Sequence, residues 1–301
     1  MIVAGATASG KTALGIELAK EFDGEIISCD SMQIYENLDI GTAKPDKEEM
    51  KGVVHHMLDI VPPTEEFSVE RYCTMAKDII KDIYSRGKLP IMVGGTGLYA
   101  DNTVLGTEFS APKRDACLSE ELLEYAKAHG NEALFELLKK EDPEKAASLH
   151  PNDVKRVIRA IETVRTTGKT RGELDRESRP LSSPYDYVYM AIDMDRAVLY
   201  GRIDRRVDIM LENGLLDEVR KYILPHLKDI KTAMTAIGYR EAVWYFKGLC
   251  TYEEMVFLLK RNTRRYAKRQ LTWLRRNKEV NWLNFGSAPE EAKEVLTKKG
   301  F

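Results

Sequence analysis

The chain has 301 residues, 43% hydrophobic and 31% charged, with a formal net charge of −2. That length suits two domains, or one core with a large insertion, at about 150 residues per domain. The near-neutral balance excludes a chain that grips polyanions through overall charge, so any nucleic-acid site must come from local clustering.

Cys29, Cys73, Cys117 and Cys250 stand far apart without a C-x-x-C pair. This argues against a zinc finger or a disulfide framework and fits a reducing cytosol; each is expected to be a small buried core residue. No apolar run approaches the about 18 residues of a membrane span, and an apolar strand starting at Met1 leaves no room for a leader. A soluble, cytoplasmic protein is expected.

Met1-Ile2-Val3-Ala4 reads as a first strand, followed by Gly5-Ala6-Thr7-Ala8-Ser9-Gly10-Lys11-Thr12 and a helix over residues 11–22. This is G-x-x-x-x-G-K-[ST] between a strand and a helix N-terminus. Glycines let backbone amides converge and the helix dipole adds partial positive charge. Lys11 supplies an ammonium, and Thr12 a hydroxyl for a Mg²⁺ ligand shell. The loop suits a diphosphate or triphosphate, without saying which compound binds or what is done to it.

Residues 25–30 read as a buried strand ending in Asp30, at the carboxyl end where open α/β sheets bind ligands. Asp30 should therefore lie near the phosphate loop, as a holder of metal-bound water, a general base or a helix cap. Residues 41–45 form a loop before a short acidic helix. Residues 55–60 read as a strand whose adjacent histidines face opposite sides, a poor metal pair. Ser68 is expected to cap a helix reaching residue 86. Residues 89–93 form the next strand, leaving through Gly94-Gly95-Thr96-Gly97 without the terminal Asp usual in phosphate-loop enzymes. Those glycines allow either close ligand approach or a tight turn.

Strand–helix alternation implies a parallel sheet with right-handed crossovers. From 113 to about 180 the chain shows charged helical patterns at 120–128, 131–140 and 154–166, and no strand. Residues 187–192 restore one; helices are expected at 195–213, 215–222, 239–248 and 252–277. The expected fold is α/β, a P-loop NTPase-like parallel sheet flanked by helices, with a core from 1–112 and 186–301 and an all-helical insertion at 113–185.

Arg202 and Arg206 share a helix face and either clamp phosphate or form solvated charge. The densest basic run lies at 260–278, where Arg261, Arg264, Arg265 and Lys268 fall on one face. Tyr266 and Trp273 beside it either stack on bases or pack inward. Such a stripe is a nucleic-acid signature or a solvated face.

Seven stretches in order resemble the tRNA dimethylallyltransferase (isopentenyltransferase) family: the phosphate loop, "DSMQIY" with "LDIGTAKP", "HHMLDI", "VGGTGLY", "HPNDVKRVIRAIE", "AIGYRE" and "YAKRQLTWLR". The resemblance spans nearly the whole chain. It implies transfer of a dimethylallyl group from dimethylallyl diphosphate to N6 of the adenine next to the anticodon, position 37. On that resemblance the loop, Gly5 to Thr12, holds the diphosphate with Mg²⁺ through Thr12, though such loops are commonly labelled ATP-binding. Asp30 matches the general base, Thr96 a residue near the reacting amine, and Arg206 is chosen for the diphosphate. Asp30, Ser31, Met32 and Gln33 match adenine-side contacts. Lys155, Arg156, Val157, Ile158 and Arg159 match tRNA-contacting stretches, as do Thr235, Ala236, Ile237, Gly238, Tyr239 and Arg240; Arg264 and Arg265 of the basic run join them. The partners implied are the tRNA anticodon stem-loop and dimethylallyl diphosphate, bound by a monomer.

The chain departs from the family pattern at Ser119, where relatives often carry Arg, at "YADNTVLG" after the third strand, and at Thr235. It also lacks the eukaryotic-type zinc finger. Two other readings are an isopentenyltransferase acting on free adenine nucleotide and a small-molecule P-loop kinase.

Overall fold

In the computed structural model, which describes residues 1–109, 115–178, 180 and 182–300, six strands form one sheet. They are β1 (Ile2–Ala4), β2 (Gly24–Ser28), β3 (His55–His56), β4 (Leu89–Gly94), β5 (Tyr189–Asp193) and β6 (Asn281–Asn284). Their order is β3-β2-β4-β1-β5-β6, and every pairing is parallel. β1, β2 and β5 are almost wholly buried, as strands covered on both faces must be. Ala4 pairs in register with Gly94 and Ala191, and Ser28 with Val93. The central strands therefore end together, and Gly5, Cys29 and Gly95 open from a single carboxyl edge.

The chain divides into two compact units, Met1–Val104 with Asp186–Phe301, and Leu105–Tyr185. The boundary expected at 112/113 lies outside the described residues. In the first unit, α1 (Lys11–Glu21), α2 (Lys47–Met50), α3 (Val69–Ser85) and α4 (Gly97–Val104) precede the insertion. Ser68 caps α3 by accepting from Arg71 N. Tyr72 of α3 stacks on Tyr99 of α4 at 4.1 Å and donates its hydroxyl to Ser28 O.

The second unit is helical: α5 (Ala116–His129), α6 (Asn131–Glu141), α7 (Pro143–Ala146), α8 (Val154–Thr167) and α9 (Arg171–Glu177). Leu122, Leu134, Leu138, Val157 and Ile161 form its own core. The chain then returns through α10 (Arg196–Glu212), α11 (Leu215–Glu218), α12 (Tyr239–Phe246), α13 (Tyr252–Leu274) and α14 (Ala288–Lys298). Leu14 and Leu18 of α1 pack with Ala292 and Leu296 of α14 against Val3, Ile26, Ile91, Met190 and Leu283 of the sheet.

Several expectations need correction. The strand expected over 55–60 keeps only His55–His56, because Met57 and Asp59 adopt left-handed backbone at φ 63° and 52°. The helix expected over 215–222 is α11 followed by a π-helical turn at Val219–Ile223. β6 and α14 were not anticipated: Asn281-Trp282-Leu283-Asn284 is a half-polar edge strand with no alternation to read. Cys29 and Cys73 are buried, but Cys117 is exposed and Cys250 half-buried, so only two of the four are core residues. His56 is structural: its Nε2 meets buried Glu25, which Arg86 also grips. The Arg86 guanidinium, against the opposing effect of burial, holds that carboxyl down at about 2.

Two glycines should respond to Ala in opposite senses. A Cβ on Gly94 would lie 2.0 Å from Cys29 O, whereas one on Gly201, inside α10, meets nothing within 4 Å. Gly94→Ala should destabilise by about 1–3 kcal/mol or more through overpacking, and Gly201→Ala should stabilise by about 0.5–1 kcal/mol. Urea unfolding of both variants measures the two signs.

Candidate active site

The phosphate loop connects β1 to α1 with Ala8 at φ 65° and Gly10 at φ 96°. Gly10 provides no side-chain cap, so the first-turn amides of α1 keep their partial positive charge for a ligand. Two loop amides are already engaged: Ser9 N donates to Ala6 O, and Thr7 N to Gln270 Oε1 at 2.9 Å. Lys11 Nζ folds back on Ala6 O at 3.3 Å. Burial, reinforced by the Arg206 charge and partly offset by Asp30, pulls the Lys11 ammonium down to about 8.

Arg206, on α10, reaches Thr7 Oγ1 at 3.5 Å, and burial lowers its guanidinium against the attraction of Asp30. Arg202, one turn earlier, instead donates to Ala8 O at 2.8 Å and lies over the Phe285 ring. Of the two arginines, Arg206 lines the inner cavity, while Arg202 braces the loop from outside.

Asp30 follows β2, and its Oδ1 accepts from Met32 N at 2.8 Å. Thr96, after β4, donates its amide to Cys29 O and accepts from Ser31 N through Oγ1 at 3.2 Å. Burial, helped by the charge of Asp30 and opposed by the neighbouring Thr96, raises the pKa of the Tyr266 phenol. Gln33 spends its amide on the protein: Oε1 accepts from Ser28 Oγ, and Nε2 donates to Thr42 O and Ala43 O.

Lys11, Asp30, Gln33, Arg206 and Tyr266 line a cavity of about 330 Å³, whereas Thr96 and Arg202 stand outside its lining. Its polar lining includes Lys11, Thr12, Asp30, Arg206 and Arg269, and Val93, Ile203, Val207, Met210 and Leu259 form an apolar wall. The volume falls in the range of small-molecule sites. A carboxylate, three cations and open helix amides facing one partly apolar space suit a reaction in which an anionic group departs from an apolar carbon skeleton.

Other expected site residues separate by environment. Thr235, Ala236 and Ile237 line the cavity. Gly238 turns at φ 107°, while Tyr239 is fully buried and donates to Glu218 Oε1 at 2.8 Å. Arg240 pairs with buried Glu241. In α8, Lys155 and Arg156 are exposed, but Val157 and Ile158 belong to the core of their unit, and Arg159 pairs with Glu162. Ser119 is buried and donates to Glu162 Oε2 at 3.3 Å, so it sits inside that unit.

The basic face of α13 is divided. Arg264 makes two bonds to Asp204 at 2.5 and 2.7 Å, leaving Arg265 and Lys268 as its exposed members. Trp273 packs inward against Gly97 and donates Nε1 to Asp101, which gives the polar "YADNTVLG" departure a structural role.

Sequence reasoning missed Gln270 and Glu218. Gln270 Nε2 donates to Gly95 O while its Oε1 holds Thr7 N, so one side chain ties the phosphate loop to the β4 exit. Its signal was a lone polar residue in the stripe of α13 that also carries Ala267 and Leu274. Glu218 had no such signal. The apolar wall, drawn from β4, α10 and α13, was equally invisible.

The IPP transferase family profile matches residues 33–277. The chain belongs to the IPP transferase family. It is 48% identical to a tRNA dimethylallyltransferase of Acetivibrio thermocellus over 94% of this chain and 91% of the relative. For the enzyme of the same name from Halothermothrix orenii the identity is 46%, over 95% and 88%. Among solved structures, the full-length tRNA isopentenylpyrophosphate transferase of Bacillus halodurans is 40% identical with a TM-score of 0.70, covering 100% of this chain and 98% of that one. A eukaryotic dimethylallyltransferase described as acting on tRNA superposes with a TM-score of 0.82 at 29% identity, over 99% and 78%. The α/β fold with its P-loop-like parallel sheet is the fold of this family.

The lowered pKa of Lys11 has a measurable consequence. Inorganic diphosphate should bind wild type more tightly than Lys11→Met by a constant ratio at pH well below 8. The ratio should shrink as pH rises through about 8, where the free enzyme loses the ammonium; ionisation of diphosphate cancels between the two proteins. Calorimetric titrations from pH 6.5 to 9.5 measure it.

Proposed function

We infer that the chain transfers a dimethylallyl group from dimethylallyl diphosphate to N6 of the adenine adjacent to the anticodon, position 37, in tRNA, releasing diphosphate. The observation that carries this reading is the shared cavity: Asp30, Lys11 of the phosphate loop and Arg206 of α10 face one space with an apolar wall. The relatives are named for the same reaction.

The amine nitrogen attacks C1 of the dimethylallyl group as the C1–O bond breaks. The bonding electrons leave with diphosphate, and one amine proton must go to a base. An exocyclic adenine amine is a poor nucleophile, and Asp30 is the carboxylate placed to take that proton. Its bond to Met32 N leaves one oxygen for the task. Lys11, Arg206 and the α1 amides stabilise the charge growing on the leaving group. The adenine reaches the cavity by leaving its stack.

The donors suit Mg²⁺, which binds through one or two protein oxygens plus substrate phosphates and waters. Thr12 would hold the ion, with Asp30 beside it in the same lining. Among the described residues no group of three or more His, Cys, Asp or Glu forms a dedicated metal cage. When bound, Mg²⁺ neutralises charge on the diphosphate. No helix among the described residues is long and apolar enough to cross a membrane.

Mass spectrometry of tRNA nucleosides after incubation with dimethylallyl diphosphate tests the reaction. Absence of the prenylated adenosine would overturn it; transfer to AMP in preference to tRNA would favour the free-nucleotide reading. Asp30→Asn should lower the single-turnover rate by about 10²-fold or more with tRNA affinity nearly intact, and a near-normal rate would remove Asp30 as base.

The RNA grip is assigned to the exposed members of the α13 stripe. Arg265→Ala with Lys268→Ala should make the slope of log affinity against log salt shallower by about one to two units, since each phosphate contact contributes roughly 0.7–0.9. Filter binding across a salt series checks it, and an unchanged slope in a well-folded variant would make the stripe a solvated face.

A further inference from the structure

Glu218 ends α11, where the chain enters the π-helical turn at Val219–Ile223. Such local widenings of a helix recur at functional sites. The side chain is 7% exposed. Its Oε2 accepts from Asp39 N and Ile40 N, both at 2.7 Å, and its Oε1 from Gly41 N at 3.0 Å and Tyr239 Oη at 2.8 Å. All four donors are neutral. A buried carboxylate is costly unless its lone pairs are used, so this anion and the loop it grips fix each other.

The loop needs that support. Ala43 sits at φ 49°, a left-handed conformation that persists in a non-glycine residue only when its surroundings impose it. Gly41 lies so close to Tyr239 that a Cβ would come within 2.6 Å of the ring. Gly41, Thr42 and Ala43 line the cavity, and the carbonyls of Thr42 and Ala43 hold the amide of Gln33, another lining residue. Tyr239 follows Thr235, Ala236 and Ile237, which line it as well.

We propose that Glu218 is a positioning residue for the acceptor: with Tyr239 it fixes the 39–43 loop, and through it Gln33 and the adjoining cavity wall, without touching the reacting atoms. The word acceptor rests on the prenyl-transfer reading; the holding of the loop does not.

Glu218→Gln keeps the shape but replaces one acceptor oxygen by an amide nitrogen that points its own donors at the backbone N–H groups. In the full chain, amide exchange at Asp39, Ile40 and Gly41 should then accelerate about tenfold or more, with the phosphate loop unchanged. The kcat/KM for tRNA should fall about ten- to hundredfold, while the KM for dimethylallyl diphosphate and the affinity for inorganic diphosphate stay within about threefold. Glu218→Asp should recover part of the loss.

Unchanged exchange at 39–41 would overturn the proposal. So would an equal fall in affinity for both substrates, which marks general loosening. Should Glu218→Gln fail to fold, Tyr239→Phe, which leaves the three backbone bonds in place, should show a smaller shift with the same split between substrates, and no split would overturn the proposal. If exchange accelerates as expected but wild type transfers nothing to tRNA, the positioning of the loop stands and the reading of its acceptor fails.

Discussion

The close approach of α13 to the carboxyl edge of the sheet is the constraint on which the site depends. Gln270 reaches from that helix to accept from Thr7 N and donate to Gly95 O. This is possible because Gly95 has no Cβ: one there would lie 2.0 Å from Gln270 Nε2. Gly97 gives way to Trp273 in the same fashion, at 2.2 Å. The glycines after β4 thus serve the seating of a helix, and the seated helix brings Leu259, Tyr266 and Gln270 into the cavity lining. Ligand approach and tight turning, the two roles open to such glycines in a sequence, are both secondary to this packing.

Closing the cavity this way sets its electrostatics. Burial depresses the pKa of both Lys11 and Arg206, and each feels the other cation or Arg202. Cations held in that state gain most when an anion enters, because bringing the anion restores the charge stabilisation that burial removed. Asp30 offsets part of the cost from the acceptor side, and its attraction is felt at both Lys11 and Arg206. On the proposed reaction, a carboxylate so placed accepts a proton while diphosphate occupies the cations, since the two charges belong to different ends of one reacting pair.

Much of this was legible in the sequence because it is local. The phosphate loop, the strand exit at Asp30 and the Ser68 cap are written in consecutive residues, and the insertion announces itself by helical periodicity without strands. What escaped depends on partners far along the chain. Glu218 meets residues 39–41, and Gln270 meets Thr7 and Gly95. The basic stripe shows the same limit: periodicity put Arg264 with Arg265 and Lys268, but only the neighbouring helix reveals that Asp204 claims it. β6 escaped for another reason. A half-polar edge strand has one paired side and no full apolar face, so neither alternation nor a continuous apolar run marks it.

The carboxylates around the cavity are distributed in a way that leaves its cations usable. Glu218 is saturated by three backbone amides and a phenol, and Glu241 by Gly238 N, Asn262 and Arg240. Outside, Asp204 and Asp208 take Arg264 and Lys260. The hydrogen bonds of Lys11 and Arg206 go to uncharged oxygens, Ala6 O and Thr7 Oγ1. A buried ion pair at that point would have satisfied the cations at the expense of ligand affinity, because an entering anion would first have to displace a carboxylate. Saturating the nearby acids with amides avoids that competition. The same bonds that shape the loop and the "TAIGYR" stretch thereby keep two desolvated cations free for an anionic ligand.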